Sequence, residues 1–288
     1  MVSDFSSSEY WSTRFEKERS FEWLASSKAL GPVVLDLVKE LVRSRSSVPA
    51  AAVSAAPKRP IGPNEEDPPI NILHFGCGTS TLGPYLARLL QTEHINAQVV
   101  DADYVAESIV AAGPALPRSA AWQSARASGS EGSEVEVPLI SLDVLDLGQL
   151  KDTAPAGGWD LLVDKSTADA ISCGPSLPRQ RGQGGEEEED LVEPIHILCD
   201  NLASVTRTGG RWLCISYSSS RFDHLGPITH GPGAESASDS SSAWRLVSKI
   251  PVDGAYTGEP STLSDGNGGK RVVYAPETNV WAYVLERK

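Results

Sequence analysis

The chain has 288 residues, with 25 Lys and Arg against 38 Asp and Glu, a formal net charge of −13. An acidic balance of that size excludes a nucleic-acid groove, which requires a basic stripe, and docking on an anionic membrane surface. No apolar run reaches the roughly 18 to 20 residues that span a bilayer, and Met1-Val2-Ser3-Asp4 lacks the basic and apolar segments of a signal peptide. Cys77, Cys173, Cys199 and Cys214 form no CxxC pair and no zinc spacing. The expectation is a reduced cytoplasmic protein with buried thiols and no metal.

Residues 1–43 look helical, and five later stretches change composition. Residues 44–69 are rich in Ser, Ala and Pro, 112–134 in Ala, Ser and Gly, and 175–190 run from Pro, Arg and Gln into Glu186–Asp190. Residues 230–243 and 257–270 are rich in Gly and Ser. Such segments bury too little apolar surface to offset the entropy of ordering them. They read as insertions in one domain over 1–288, with 1–43 as a helical cap. Part of the negative charge therefore belongs to one solvated acidic run.

Between the insertions, strand-like and helix-like segments alternate. Ile70–Phe75 is a short apolar run closed by Gly76, and Leu82, Leu86, Leu89 and Leu90 fall on one helix face. A strand at Ala97–Val100 precedes a helical stretch at Val105–Ala111. Val135–Leu142, Trp159–Val163 and Arg211–Tyr217 read as strands, with helices at Thr167–Ser172 and Leu191–Thr206 between the last three. Trp244–Val252 and Val280–Arg287 suggest a final antiparallel pair. The predicted class is α/β: a Rossmann-like, doubly wound, seven-stranded sheet, mostly parallel, with a C-terminal antiparallel hairpin.

Gly76-Cys77-Gly78-Thr79-Ser80-Thr81-Leu82-Gly83 follows the first strand and opens a helix. Glycines there let a ligand press against bare backbone, although a plain tight turn has the same spelling. A dinucleotide fingerprint needs a glycine where Thr81 stands, and a P-loop needs Lys and Ser or Thr where Pro84 and Tyr85 follow Gly83. A GxSxG elbow needs a glycine where Leu82 stands. What remains is an adenosyl group without a pyrophosphate. Its ribose needs an acid after the second strand, where Asp101 and Asp103 stand, and its adenine a polar contact after the third, where Asp143 stands. Asp164-Lys165-Ser166-Thr167 ends the fourth strand beside the reacting centre. Any single aspartate here has a plain alternative as a cap or turn former.

Four stretches together resemble a known family: Glu9-Tyr10-Trp11-Ser12-Thr13-Arg14-Phe15 with Phe21-Glu22-Trp23, the loop Gly76–Ser80, Trp159–Ala170 and Gly209–Ser216. Their order and spelling are similar to the seven-strand, S-adenosylmethionine-dependent methyltransferases. They resemble most the subgroup that includes the lysine methyltransferases of translation elongation factor 1-alpha and of citrate synthase. Thr79, Ser166 and Ala168 depart from the subgroup, which usually has Asn, Gly and Leu there.

The resemblance implies methyl transfer from S-adenosylmethionine, yielding S-adenosylhomocysteine, to a protein side chain, a lysine first of all. A small-molecule acceptor, or a non-catalytic module with the same fold, is the alternative. Trp11 and Arg14 become candidates for covering the cofactor and binding its carboxylate. Gly76, Cys77, Gly78, Ser80, Asp101, Asp103, Tyr104, Asp143, Val144, Leu145 and Asp164 complete the cofactor set. Asp164, Trp23 and Tyr217 are the candidates for the catalytic side, the two aromatics holding an ammonium by cation–π contact. Lys165 is expected to pair with a carboxylate and His74 to pack in the core. The expected partner is a protein substrate, with no nucleic acid or membrane, and the expected state a monomer.

Overall fold

The computed structural model describes residues 4–18, 21–47, 68–111, 118–119, 137–178, 191–228, 242–252, 261–264, 270–273 and 279–288. Most of the five expected insertions lie outside these residues. Helix α1 (Ser8–Phe15) starts at Ser7, whose hydroxyl accepts the Tyr10 amide at 3.4 Å, an ordinary N-cap. Helix α2 (Ser27–Ser47) follows an irregular strap at residues 21–26. Strand β1 (Ile70–Phe75), α3 (Leu82–Thr92), β2 (Ala97–Asp103) and α4 (Ala106–Ala111) come next, then the two-residue β3 (Arg118–Ser119), β4 (Val137–Ser141) and α5 (Leu147–Thr153). After these run β5 (Trp159–Lys165), α6 (Thr167–Ile171), β6 (Leu177–Pro178), β7 (Leu191–Val192), α7 (Pro194–Val205) and β8 (Thr206–Ser216). The chain ends with β9 (Trp244–Pro251), β10 (Ser261–Ser264), β11 (Lys270–Val273) and β12 (Trp281–Arg287).

The main sheet has the order β3-β4-β2-β1-β5-β8-β12-β9. Neighbours from β3 to β8 pair in parallel, while β12 is antiparallel to both β8 and β9. This is the expected seven-stranded sheet with a short extra strand, β3, on one edge. Two small antiparallel pairs, β6 with β7 and β10 with β11, stand outside it. The second pair falls partly in a stretch expected to be an insertion.

Alternation along the buried strands feeds two cores. Ile70 and Ile72 of β1, Leu161 and Val163 of β5, and Leu213 and Ile215 of β8 face α2 and α3, where Leu30, Val34, Val38, Leu82 and Leu86 are buried. Leu73 and Phe75, Leu162, and Trp212 and Cys214 face α7 on the other side, against Leu198 and Leu202. Expected helix α3 matches the predicted stripe, whereas α5 was not anticipated. Asp146 signals α5, since its carboxylate caps the Gly148 and Gln149 amides at 2.8 and 3.1 Å. Cys77, Cys199 and Cys214 are buried, but Cys173 is exposed, contrary to the expectation that all four thiols are covered. Among the described residues no helix is long and apolar enough to cross a membrane.

Candidate functional site

From β1 the chain steps outward to β2 and β4, then returns to the other side of β1 for β5 and β8. That reversal opens a crevice beyond the carboxyl ends of the strands, where doubly wound sheets take their ligands. A cavity of about 440 Å³ occupies it, within the size range of small-molecule and cofactor sites. Its floor is the loop Gly76–Ser80, its sides are Asp103-Tyr104, Leu142–Leu145 and Lys165–Thr167, and its cover is Phe5, Trp11, Phe15, Phe21 and Trp23.

The glycine loop is built for close approach. Gly76 has φ +57°, and a Cβ there would meet Thr167 Oγ1 at 2.0 Å. Gly78 has φ +49°, and its Cβ would touch the Phe15 ring at 3.0 Å. Both positions therefore require glycine for backbone angle and for space. The Cys77 amide donates to Ala102 O at 3.0 Å, and the Gly78 amide to Asp103 Oδ2 at 2.9 Å. Loop and second strand are thus tied together.

The two acids proposed for the ribose separate clearly. Asp103 is on the cavity wall, while Asp101 is fully buried beneath the loop, 2.7 Å from His74 Nδ1. A Cβ on Gly83 would meet Asp101 Oδ1 at 2.1 Å, so that glycine makes room for the buried pair. His74 is a core residue. Asp143, Val144 and Leu145 line the cavity, and Asn201 of α7 supports them by donating to the Val144 and Leu145 carbonyls at 3.3 and 2.9 Å. Gly76, Cys77, Gly78, Ser80, Tyr104, Trp11, Trp23 and Tyr217 also line it.

Asp164 and Arg14 do not. Asp164 is fully buried; one oxygen accepts the Thr167 and Ala168 amides at 3.1 Å each and the other the Trp212 indole at 2.9 Å. Burial pushes its carboxyl up to about 6, against hydrogen bonds from Ala168, Cys214 and Trp212. It shapes the β5–α6 turn from behind the cavity. Arg14 faces away, bound to Glu18 at 2.7 Å and the Tyr10 hydroxyl at 2.9 Å, with its guanidinium 4.7 Å from the Trp23 ring centroid. It holds the aromatic cover together by cation–π contact.

Three acids not singled out in the sequence reading belong to the site. Asp169 lies on the cavity wall, receiving the Tyr217 amide at 3.1 Å and Arg221 Nη2 at 2.7 Å. Glu18 is on the wall beside the cover. Glu22 binds the loop and Lys165 together. Burial raises the Glu22 carboxyl, but the Lys165 ammonium and donors from Thr81 override it and hold it down at about 2. The burial that draws the Lys165 ammonium downward is opposed by the same partner. Asp169 follows the Asp-Lys-Ser-Thr stretch by a few residues, and Glu18 stands at the i,i+4 ion-pair spacing from Arg14; Glu22 carries no spacing signal.

Among the wall residues, the Thr79 hydroxyl and Glu18 Oε1 are buried with no hydrogen-bond partner among the described residues. Such orphaned groups cost free energy unless a ligand or water meets them. With an acid at the end of β2, Asp143 in an otherwise apolar loop after β4 and an apolar cover, the wall fits an adenosyl amino acid such as S-adenosylmethionine. Among the described residues no group of three His, Cys, Asp or Glu side chains is placed to hold a metal ion.

The sheet order and directions are those of the class I, seven-strand methyltransferase fold, extended by β3. No family model matches the chain. The methyltransferase srdJ of Neurospora crassa is 27% identical over 221 residues, which cover 76% of this chain and 70% of that protein. The N-methyltransferase NodS of Bradyrhizobium japonicum, solved with S-adenosyl-L-homocysteine, aligns with a TM-score of 0.38 and 12% identity over 88% of this chain and 86% of its own. TehB of Haemophilus influenzae aligns with a TM-score of 0.35 and 15% identity over 76% of this chain and 58% of its own. These structural overlaps are low, and the fold rests on strand order and register.

Proposed function

We propose that the chain binds S-adenosylmethionine in this cavity and transfers its methyl group to a protein side chain, a lysine first of all. The observation that carries the reading is the meeting of the Gly76–Ser80 loop, Asp103 and the Asp143–Leu145 loop around one cavity at the strand switch point. The relative from Neurospora crassa, a methyltransferase by name, supports the reaction class.

The bound sulfonium supplies an activated methyl group, so the protein's work is alignment and exclusion of water. In this reading Asp103 accepts from the ribose hydroxyls and Asp143 contacts the base, while Phe15 and Trp11, which line the cavity, cover the cofactor. Tyr217, half-exposed at the mouth, has its phenol pKa raised by burial and by Asp169. It therefore stays neutral and offers an aromatic face and a hydroxyl rather than a base. An amine acceptor loses its proton to solvent on entering the apolar cover, which disfavours the ammonium form. Asp164 acts by holding the turn at Ser166–Ala168, behind the reacting atoms.

A small-molecule acceptor is the second reading, favoured by the aromatic enclosure from Phe5, Trp11 and Trp23. Incubation with methyl-labelled S-adenosylmethionine in cell extract, followed by mass spectrometry, decides between them. Label on a lysine of a protein is the expected result; label on metabolites alone would overturn the protein acceptor. No binding of S-adenosylmethionine by calorimetry would overturn the enzymatic reading itself.

A further inference from the structure

The strap between α1 and α2 is joined to the glycine loop through one side chain. Glu22 Oε1 accepts from the Thr81 amide at 2.8 Å, from the Thr81 hydroxyl, and from Ser27 Oγ at 2.9 Å. Its Oε2 accepts from Ser80 Oγ at 2.9 Å and from Lys165 Nζ, which also donates to Ala25 O at 3.3 Å. One carboxylate therefore spans the strap, the β1–α3 loop, the first residue of α2 and the end of β5.

Its neighbours show what the connection controls. Phe21, Trp23 and Leu24 of the strap line the cavity, as do Ser80 and Lys165. Leu24 has φ +60°, a left-handed conformation that side chains rarely adopt. Such a turn persists only when its surroundings over-determine it. Around it, beside the core packing of Leu24 and Ala25 and the Arg14 contact to Trp23, the polar contacts are Glu22 to the loop, Lys165 to Ala25 O and the Ala25 amide to Trp23 O at 2.6 Å. The Lys165 side chain is only 3% exposed, so Glu22 is also what makes a buried ammonium tolerable there.

We infer that Glu22 is a positioning residue through which docking of the strap and the cofactor-binding form of the glycine loop depend on each other. The inference rests on the proposed binding of S-adenosylmethionine. Reciprocity then requires that the cofactor product tighten the strap as much as the docked strap tightens the product. Hydrogen bonds to a charged group are typically strong enough that their loss here predicts about tenfold or greater weakening of binding.

The test uses the full chain and S-adenosylhomocysteine. Calorimetry gives its affinity for wild type, Glu22→Gln and Glu22→Asp, and limited proteolysis reads cleavage in residues 21–26 with and without it. Wild type should bind and gain protection at the strap. Glu22→Gln should bind about tenfold or more weakly and, when saturated, gain little protection; Glu22→Asp should recover part of both. A folded Glu22→Gln with wild-type affinity and protection would overturn the inference alone. Failure of the wild type to bind would overturn the functional reading and this inference with it. Should Glu22→Gln not fold, the double variant Glu22→Gln/Lys165→Met removes the buried unpaired ammonium, and wild-type affinity in it would equally overturn the inference.

Discussion

Asp103 Oδ2 accepts the Gly78 amide at 2.9 Å, so the acid that ends β2 also fixes the turn that ends β1. Its other oxygen accepts the Val105 amide at 3.1 Å at the entry to α4. Asp103→Ala should therefore lose two backbone hydrogen bonds to a carboxylate together with the proposed ribose contact. The expected outcome is a stability loss of about 2 kcal/mol and at least about tenfold weaker binding of S-adenosylhomocysteine. Chemical denaturation and calorimetry measure the two separately. Asp101→Asn, whose side chain is buried against His74, should lower stability with a smaller effect on affinity, because it never reaches the wall.

Ser166 occupies φ +69° at the turn from β5 into α6, the position where the resembling subgroup usually has glycine. A serine there bears the steric cost of the left-handed region, which glycine avoids. Its hydroxyl recovers little, since the contact to Asp169 Oδ2 is 3.5 Å long. Ser166→Gly should stabilise the protein by about 0.5 to 1 kcal/mol, net of the extra entropy glycine brings to the unfolded chain. Ser166→Val should destabilise it by at least about 1 kcal/mol, since β-branching makes the same φ worse. Thermal melting of the pair gives the comparison, and equal midpoints would show that the turn relaxes around any side chain.

Arg221 and Asp169 form a largely buried charge pair just after the end of β8. Arg221 Nη2 and Nε reach one Asp169 oxygen at 2.7 and 3.1 Å, and the two side chains are 12% and 1% exposed. Ser216 Oγ and the Tyr217 amide complete the shell around the same carboxylate. Arg221→Ala leaves Asp169 buried without its cation and should cost about 3 kcal/mol. The double variant Arg221→Ala/Asp169→Ala should cost less than the sum of the two single changes. Denaturation midpoints across this cycle measure the coupling, and strict additivity would mean that the pair contributes nothing of its own.

The parts of the site that were legible in sequence are those written into a continuous stretch: strand, glycine turn, and the polar residues closing the next strands. Asp101 and Asp103 could not be separated that way, because what separates them is register. Asp101 is opposite His74 inside the sheet, whereas Asp103 pairs with Ser141 beyond the end of β1. The same holds for Asp164 and Lys165, adjacent residues that a strand sends to opposite faces. The family resemblance assigns Arg14 to the cofactor carboxylate and so overrides a local signal, the i,i+4 ion-pair spacing to Glu18. Glu22 joins residues 58 to 143 positions away, and no local periodicity reports such contacts. The extra strand β3 has two residues, too few to show alternation.

Asp164 predicts the pH dependence of stability. Burial raises its folded-state pKa to about 6, above an ordinary aspartate, so between the two values the folded chain holds a proton that the unfolded chain has released. Stability should fall as pH rises through that window and level off above it, a total of roughly 2 to 3 kcal/mol. Glu22 acts with the opposite sign and lower down. Held at about 2 in the folded state, its contribution grows as pH rises towards the ordinary glutamate value and is complete above it. His224, whose pKa is lowered by burial and by His196, also opposes Asp164, adding stability as pH rises towards the ordinary histidine value. The discriminating measurement is therefore a difference: denaturation midpoints of wild type and Asp164→Asn across pH 4.5 to 7. Asparagine has one oxygen for the Thr167 and Ala168 amides and presents a donor to the Trp212 indole, so the variant should be less stable throughout. The gap between the two proteins should narrow as pH rises to about 6 and then stay constant. A gap of constant size over the whole range would mean that Asp164 is ionised throughout, with its four donors outweighing burial.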